Sequence, residues 1–329
     1  MLVHIFVTNN CNLKCEYCYV SDLKKKKNFT TDSVEDLIVF VNKAIALNKS
    51  ERITLDFFGG EPLLNKRVIE EIIKKARVHI PIKQSYMMTT NGTLLTTQYV
   101  DFLAEHHFLL SLSLDGIPEQ HNKQRKYEDG SPSWETISRN IEYVLKKIPT
   151  VTARMTFNAE SVSNLYENVQ FIVQQGFKVI KPVPDFFDSR WDEDSFSILR
   201  EQFRKIQDYA NEIKDVQISL FKKELVIQGD CTGGYDTFSI DANGDIYPCN
   251  YIVGTEMFRL GNIHHIEDFE LTRFHTDHSQ RVECTKCSYF TTCTSARCIF
   301  TNYKMTKDLC KPNGFFCAFE RLQSSYVMV

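Results

Sequence analysis

The chain has 329 residues, which suggests about two domains at roughly 150 residues each. A net charge of −3 excludes a generally basic nucleic-acid binder, and 43% hydrophobic with 25% charged residues excludes a disordered chain. Eleven cysteines are the unusual feature. An odd number cannot all pair as disulfides, and a chain of this length does not need disulfides for lack of a core.

The chain contains no signal for export or for a membrane span. No run reaches the length of about 18 apolar residues that a transmembrane helix needs, so we expect no membrane partner. The N-terminus lacks the basic region and cleavage site of a secretory signal. We therefore expect a cytoplasmic protein whose thiols serve metal binding or catalysis.

Strand-like and helix-like patterns alternate through the first part of the chain. Six apolar, β-rich runs are predicted strands: Leu2–Val7, Ile53–Phe58, Ser85–Thr90, Phe108–Leu114, Val151–Phe157 and Phe177–Pro182. Amphipathic patterns predict five helices: Ser33–Leu47, Lys66–His79, Thr97–His106, Ser133–Lys147 and Leu165–Gln175. This alternation predicts an α/β fold with a parallel sheet. Because six units are fewer than the eight of a closed TIM barrel, we expect a partial (β/α)6 barrel with its chemistry at the carboxyl ends of the strands.

The cysteines divide the chain into regions. Three lie between Cys11 and Cys18, eight lie between Cys231 and Cys317, and none lies between these groups. We predict a barrel domain at 1–190, a polar helical bridge at 191–228 and a small cysteine-rich domain at 229–329. The last region contains a predicted β-hairpin with a two-residue Asn243-Gly244 turn.

The first cysteine group directly follows the first predicted strand. Its spacing is Cys11-x3-Cys15-x2-Cys18, and Tyr17 is placed beside whatever binds there. Three thiolates on one loop can bind three irons of a [4Fe–4S] cluster and leave the fourth iron open. A zinc loop or three free thiols is the alternative.

This cysteine loop, with an aromatic residue before its third cysteine, resembles the radical S-adenosylmethionine (SAM) enzymes. The resemblance implies that the open iron chelates SAM and that the reduced cluster cleaves it to a 5′-deoxyadenosyl radical. Further motifs, FGGEP, TTNG and SLSLDG, follow successive predicted strands in the family's order. The last of them continues as His121 and Arg125, as in the peptide-modifying branch.

The resemblance implies a set of SAM contacts along these motifs. Glu61 would accept a hydrogen bond from the SAM ammonium, Asp115 would face the ribose or the substrate, and Arg154 would face the SAM carboxylate. Each motif also has a plain alternative, a βα turn or, for Arg154, a surface arginine. The implied cofactor-binding residues are Tyr17, Gly59, Gly60, Glu61, Pro62, Thr90, Asn91, Ser113, Asp115 and Arg154.

The second cysteine group resembles the SPASM domain, which binds two auxiliary [4Fe–4S] clusters; two zinc ribbons are the alternative. The resemblance implies that cluster I is held by Cys231, Cys249 and Cys298 and cluster II by Cys284, Cys287, Cys293 and Cys317. The gap between Cys293 and Cys298 has four residues, one more than in the family's pattern. Cys310 is extra: it completes cluster I, or it is a bystander and cluster I keeps an open iron.

The resemblance points to an oxidoreductase with SAM and three [4Fe–4S] clusters that acts on peptides. We expect it to install a thioether or carbon–carbon crosslink in a ribosomally made precursor peptide, as RiPP maturases do, with a flavodoxin- or ferredoxin-type reductant. Because Cys11 lies so near the start, we expect a leader peptide to be bound by a separate protein or by the barrel surface. No catalytic side chain is identified.

Two other functions remain open. An anaerobic sulfatase maturase, which forms formylglycine, has similar motifs, but that group has an aspartate base where this chain has Asn250. A non-catalytic iron–sulfur or zinc protein would explain the cysteines but not the motifs on successive strands.

Overall fold

The structure is a computed structural model that describes residues 1–22, 26–221, 224–275 and 282–326. Its first part alternates strands with helices. The strands are β1 Leu2–Thr8, β2 Leu13–Cys15, β3 Arg52–Gly59, β4 Lys83–Thr90, β5 Leu109–Ser113, β6 Arg125–Tyr127, β7 Thr152–Phe157 and β8 Val179–Pro184. The helices are α1 Ser33–Asn48, α2 Lys66–His79, α3 Thr97–Glu105, α4 Pro118–Gln124, α5 Trp134–Lys147 and α6 Leu165–Gln174.

The second part begins with a long helix and continues with short elements. Its helices are α7 Glu193–Glu212, α8 Val282–Thr285, α9 Ile299–Thr306 and α10 Gly314–Ser325. Its strands are β9 Gln217–Ile218, β10 Thr237–Ile240, β11 Asp245–Tyr247 and β12 Gly261–Asn262. None of the helices in the described ranges is long and apolar enough to cross a membrane.

The strands β1, β3, β4, β5, β7 and β8 lie side by side in this order, and every neighbouring pair is parallel. They are the six predicted strands, and α1, α2, α3, α5 and α6 are the five predicted helices. The predicted α/β partial barrel is therefore confirmed. Alternate residues of β7 are buried, as expected when one face of a strand packs on helices and the other lines a cavity.

The sheet is longer than the sequence patterns predict. At one edge β9, which lies in the predicted bridge, pairs with β8, and at the other edge β10 pairs in parallel with β1. The antiparallel strands β11 and β12 extend the sheet beyond β10. The cysteine-rich region thus shares the barrel's sheet.

The predicted hairpin is present, but its turn is not the two-residue turn. Asp241 and Asp245 still pair, since the Asp241 N–H donates to the Asp245 carbonyl at 3.0 Å, so three residues form the loop. The Asp241 carboxylate accepts from the backbone N–H groups of Asn243 and Asp245 at 2.7 and 2.9 Å. Gly244 has φ +83°, the left-handed conformation with which three-residue hairpin loops end.

The C-terminal helix α10 packs beside the last barrel strand. Phe315 stacks on Trp191 with ring centroids 4.1 Å apart, and Phe316 contacts Phe186, just after β8. At the opposite edge Phe238 of β10 packs edge-on against Phe40 of α1 at 5.5 Å. The C-terminal region therefore contacts both sides of the partial barrel.

Candidate active site

The carboxyl ends of the strands surround a cavity of about 550 Å³. The first cysteine group lines it, with side chains from all six strands of the barrel. Seven of the ten residues implied to bind SAM are among its lining: Tyr17, Gly59, Gly60, Thr90, Asn91, Ser113 and Arg154. The other three, Glu61, Pro62 and Asp115, lie behind this lining and are buried.

The glycine pair after β3 braces the cysteine loop. The Gly60 N–H donates to the Thr8 carbonyl at 2.9 Å, and the Glu61 N–H donates to the Asn10 carbonyl at 2.8 Å. A β-carbon at Gly59 would stand 2.1 Å from the Thr8 oxygen, and one at Gly60 would stand 2.1 Å from the Asn10 oxygen. The glycines thus allow two backbone segments to touch, which places the loop against β3.

The Glu61 carboxylate joins this loop to the end of β4. One oxygen accepts from the Leu63 N–H at 3.0 Å and from the Thr90 hydroxyl at 2.6 Å, and the other accepts from the Asn91 N–H at 2.7 Å. Burial raises the pKa of Glu61, while these three donors oppose the rise. Its hydrogen bonds position Thr90 and Asn91, which line the cavity.

A buried ion pair supports the second cysteine. Arg125 Nε donates to Asp115 Oδ2 at 2.9 Å, and Arg125 Nη1 lies 3.7 Å from the sulfur of Cys15. The Tyr17 hydroxyl donates to the same Asp115 oxygen at 2.5 Å, and the Thr156 N–H donates to the other at 2.9 Å. Both oxygens of Asp115 therefore accept hydrogen bonds within the protein, and the carboxylate holds Tyr17 and Arg125 against the cysteine loop.

The thiols of the loop fit a positively charged iron cluster. Burial raises the pKa of Cys11 to about 11 and that of Cys15 to about 12; Arg125 opposes the rise at Cys15, and the charge of Cys18 adds to both. Thiolates at these buried positions need a nearby positive charge to stabilise them, and bound iron would supply it. The Leu13 N–H donates to the Cys11 sulfur at 3.4 Å. Such hydrogen bonds to cysteine sulfurs are typical of iron–sulfur cluster ligands.

Three cysteines of the second group come together near β11. The pKa of Cys249 lies well above its usual range because the thiol is buried, and the charges of Cys298 and Cys231 raise it further. The Thr301 hydroxyl lies 2.9 Å from the Cys298 sulfur. The three residues implied to hold cluster I are thus neighbours in space.

The cysteines implied to hold cluster II lie around α10. The charges of Cys317 and Cys287 raise the pKa of Arg321, and Cys317 also acts on Cys293, whose pKa is raised mainly by burial. The Cys287 N–H donates to the Cys284 carbonyl at 2.9 Å. Within the described ranges no three Cys, His, Asp or Glu side chains meet closely enough to share a single metal ion, whereas a cubane separates its thiolates across its corners.

The extra cysteine lies after α9. The Cys310 N–H donates to Asp308 Oδ1 at 2.7 Å, and the preceding Leu309 packs against the apolar cluster that contains Cys231 and Cys249. Cys310 is half-buried. Whether it completes cluster I stays a prediction.

Beside Asn250, the cavity also contains residues that the sequence patterns do not single out. Tyr19 and Tyr251 lie in ring contact at 5.0 Å, and the Asn250 side-chain amide donates to the Tyr19 hydroxyl at 3.0 Å. Lys181 and Asp185 line the cavity from β8 and the residue after it. Their signal is positional: charged residues in register with the cavity-facing positions of the sixth predicted strand.

Comparison with known families decides the assignment. The Radical SAM superfamily model matches residues 5–172, and the SPASM model, an iron-sulfur cluster-binding domain, matches residues 231–294. The chain belongs to the radical SAM superfamily. This radical SAM protein therefore combines the family's SAM-binding and iron–sulfur core with a SPASM domain.

Curated relatives and solved structures cover most of the chain. The cysteine-type anaerobic sulfatase-maturating enzyme of Clostridium perfringens is 25% identical over 87% of this chain and 85% of its own length. The serine-type enzyme of Bacteroides thetaiotaomicron is 25% identical over 95% of this chain and 86% of its own.

Two solved structures share the fold. The structure of anSMEcpe with bound AdoMet and Cp18Cys peptide has a TM-score of 0.78 at 22% identity, over 99% of this chain and 96% of that one. Streptococcus suis SuiB bound to precursor peptide SuiA has a TM-score of 0.69 at 16% identity, over 96% of this chain and 75% of that one.

Proposed function

We propose that this radical SAM enzyme is a peptide maturase, an oxidoreductase that installs a thioether or carbon–carbon crosslink in a ribosomally made precursor peptide. The observation that carries this proposal is Asn250. Sulfatase maturases, which the sequence also resembles, have an aspartate base at this position. Here the Asn250 amide donates to Tyr19, and its oxygen lies 3.6 Å from the Cys249 sulfur, so the side chain offers no proton acceptor to a substrate.

We propose that SAM occupies the cavity with the seven lining residues as its contacts, while Glu61 and Asp115 support the walls. The eleven cysteines would hold three [4Fe–4S] clusters, one that binds SAM and two auxiliary clusters, and a flavodoxin- or ferredoxin-type protein would supply the first electron. When bound, these groups supply a 5′-deoxyadenosyl radical and an acceptor for one substrate electron.

The reaction balances with these components. Loss of two hydrogens and formation of one bond in the peptide releases two electrons and two protons. Reductive cleavage of SAM to methionine and 5′-deoxyadenosine consumes two electrons and one proton. The electron supplied at the start is therefore returned, and one proton is released.

Formation of formylglycine is the second candidate function, because the curated relatives are named as anaerobic sulfatase-maturating enzymes and match over most of their length. It would require a proton acceptor other than Asn250.

One experiment separates the two candidates. Reconstituted enzyme with SAM and a reductant is incubated with peptides encoded beside its gene and with a sulfatase-derived cysteine peptide. Loss of two hydrogens from a neighbouring peptide, located by fragmentation, supports the maturase. Replacement of sulfur by oxygen together with loss of two hydrogens, in the sulfatase peptide alone, would show that the second candidate is right.

A further inference from the structure

Two cationic side chains lie side by side in the cavity. Arg154 of β7 and Lys181 of β8 are direct neighbours across the parallel pair, in the row that begins with Ser113 of β5. Lys181 is exposed, although Ile180 before it is fully buried, because alternate residues of β8 face the cavity. Both cations are in the cavity lining.

No carboxylate in the described part of the chain forms an ion pair with either cation. The two carboxylates of the cavity lining have other partners. Asp56 contacts His4 Nδ1 at 2.7 Å, and Asp185 accepts from the Phe187 N–H at 2.9 Å. Although Lys181 opens to the cavity, the surrounding wall partly removes it from water, and this desolvation lowers its pKa; the positive charge of Arg154 lowers it further. Like charges in a partly enclosed cavity repel, so the site favours an anion.

The cavity wall around the cations presents hydroxyl groups. Ser113 lies beside Arg154, and Thr152 and Thr156 line the cavity from the same strand as Arg154. Hydroxyl donors beside a lysine suit a carboxylate, whose two oxygens accept several hydrogen bonds. SAM carries one carboxylate, which the family resemblance directs to Arg154. One carboxylate does not neutralise two cations, so Lys181 has capacity for a second.

We propose that Lys181 is a specificity-determining residue that binds the carboxylate of an acidic residue in the substrate peptide. This inference rests on the proposed peptide-modifying function and adds a substrate class to it. A peptide with Asp or Glu near the modified residue would place that carboxylate at Lys181, next to the SAM carboxylate at Arg154. Lys181 then aligns the peptide relative to the SAM site.

The test measures binding without turnover. Oxidised, reconstituted holoenzyme loaded with SAM is titrated with N-acetyl-glutamate methylamide and with the glutamine analogue, followed by ligand-observed NMR. We expect the glutamate probe to bind about tenfold more tightly, as a charge-assisted hydrogen bond allows. Lys181→Met should abolish this difference, and Lys181→Arg should retain it. The matched control is Lys178→Met, an exposed lysine outside the cavity lining.

SAM affinity, measured on the same proteins, distinguishes the two sources of a carboxylate. We expect Lys181→Met to change it by less than about twofold, because Arg154 remains. A loss of about tenfold in SAM affinity without glutamate preference would assign Lys181 to SAM and overturn the proposal. Equal or undetectable binding of both probes to the unaltered enzyme would overturn it too. Glutamate preference without crosslinking of any peptide would instead refute the proposed function alone.

Discussion

Gly60 has room for nothing larger than hydrogen, because a β-carbon there would stand 2.1 Å from the Asn10 carbonyl oxygen in the cysteine loop. We expect Gly60→Ala to displace this loop and to lose the SAM-binding cluster while the auxiliary clusters stay. Iron content after anaerobic reconstitution should fall by about four atoms per chain, one cubane.

Gly229→Ala is the matched control, since a β-carbon at Gly229 meets nothing within 4 Å. It should keep the full iron content. An unchanged iron content and unchanged SAM cleavage in Gly60→Ala would mean that the loop tolerates a displacement that the structure does not allow.

Arg125 and Asp115 form an ion pair whose side chains are only 8% and 0% exposed. Removing one partner leaves a buried charge unpaired, so Arg125→Met should destabilise the protein by about 3–5 kcal/mol. Chemical denaturation of the reconstituted protein measures the loss. The double variant Arg125→Met/Asp115→Asn should recover part of it, because no unpaired charge remains. A single variant as stable as the unaltered chain would contradict this.

The same arginine is expected to set the potential of the SAM-binding cluster. Positive charge and hydrogen bonds at a cluster sulfur raise its reduction potential, and Arg125 lies 3.7 Å from the Cys15 sulfur. In Arg125→Met the potential should become more negative. An EPR-monitored redox titration measures this, with the exposed Arg139→Met as control. An equal reduction potential in both variants would show that Arg125 does not set the potential of this cluster.

At the scale of elements, β10 covers the edge of β1. Residues 1–228 alone would expose that edge and would lose the contact of Phe238 with Phe40. We expect this fragment to aggregate on expression. The full chain with its eight C-terminal cysteines changed to alanine is the control, because it keeps β10 without auxiliary clusters. A monomeric fragment with native-like circular dichroism would show that the barrel folds alone.

Element prediction succeeded where the apolar pattern was long. The six barrel strands and five helices have strong periodicity, and the structure agrees with them within a few residues at their ends. The two-residue β9 is too short to carry a pattern, and β10 reads as an isolated hairpin strand. Their place in the sheet depends on partners far away in the chain.

For the whole molecule, iron content tests the proposed cofactors. Three cubanes require about twelve irons per chain after anaerobic reconstitution. Changing Cys11, Cys15 and Cys18 to alanine should leave about eight and abolish formation of 5′-deoxyadenosine, measured by chromatography. About four irons accompanied by zinc in the unaltered protein would overturn the auxiliary clusters.

The sequence by itself determined the strand–helix order, the cysteine-rich ends and the family. Cysteine spacing and strand-end motifs are local features, so each is complete within a short segment. Only the tertiary structure decided which polar groups face the cavity. Glu61 and Asp115 lie behind the cavity lining, and their oxygens accept from Thr90 and Tyr17, which come from distant segments. Their predicted contact with SAM stays a prediction. Lys181 faces the cavity because β8 pairs with β7. Such contacts depend on how strands pair, and the sequence of a single segment does not contain that information.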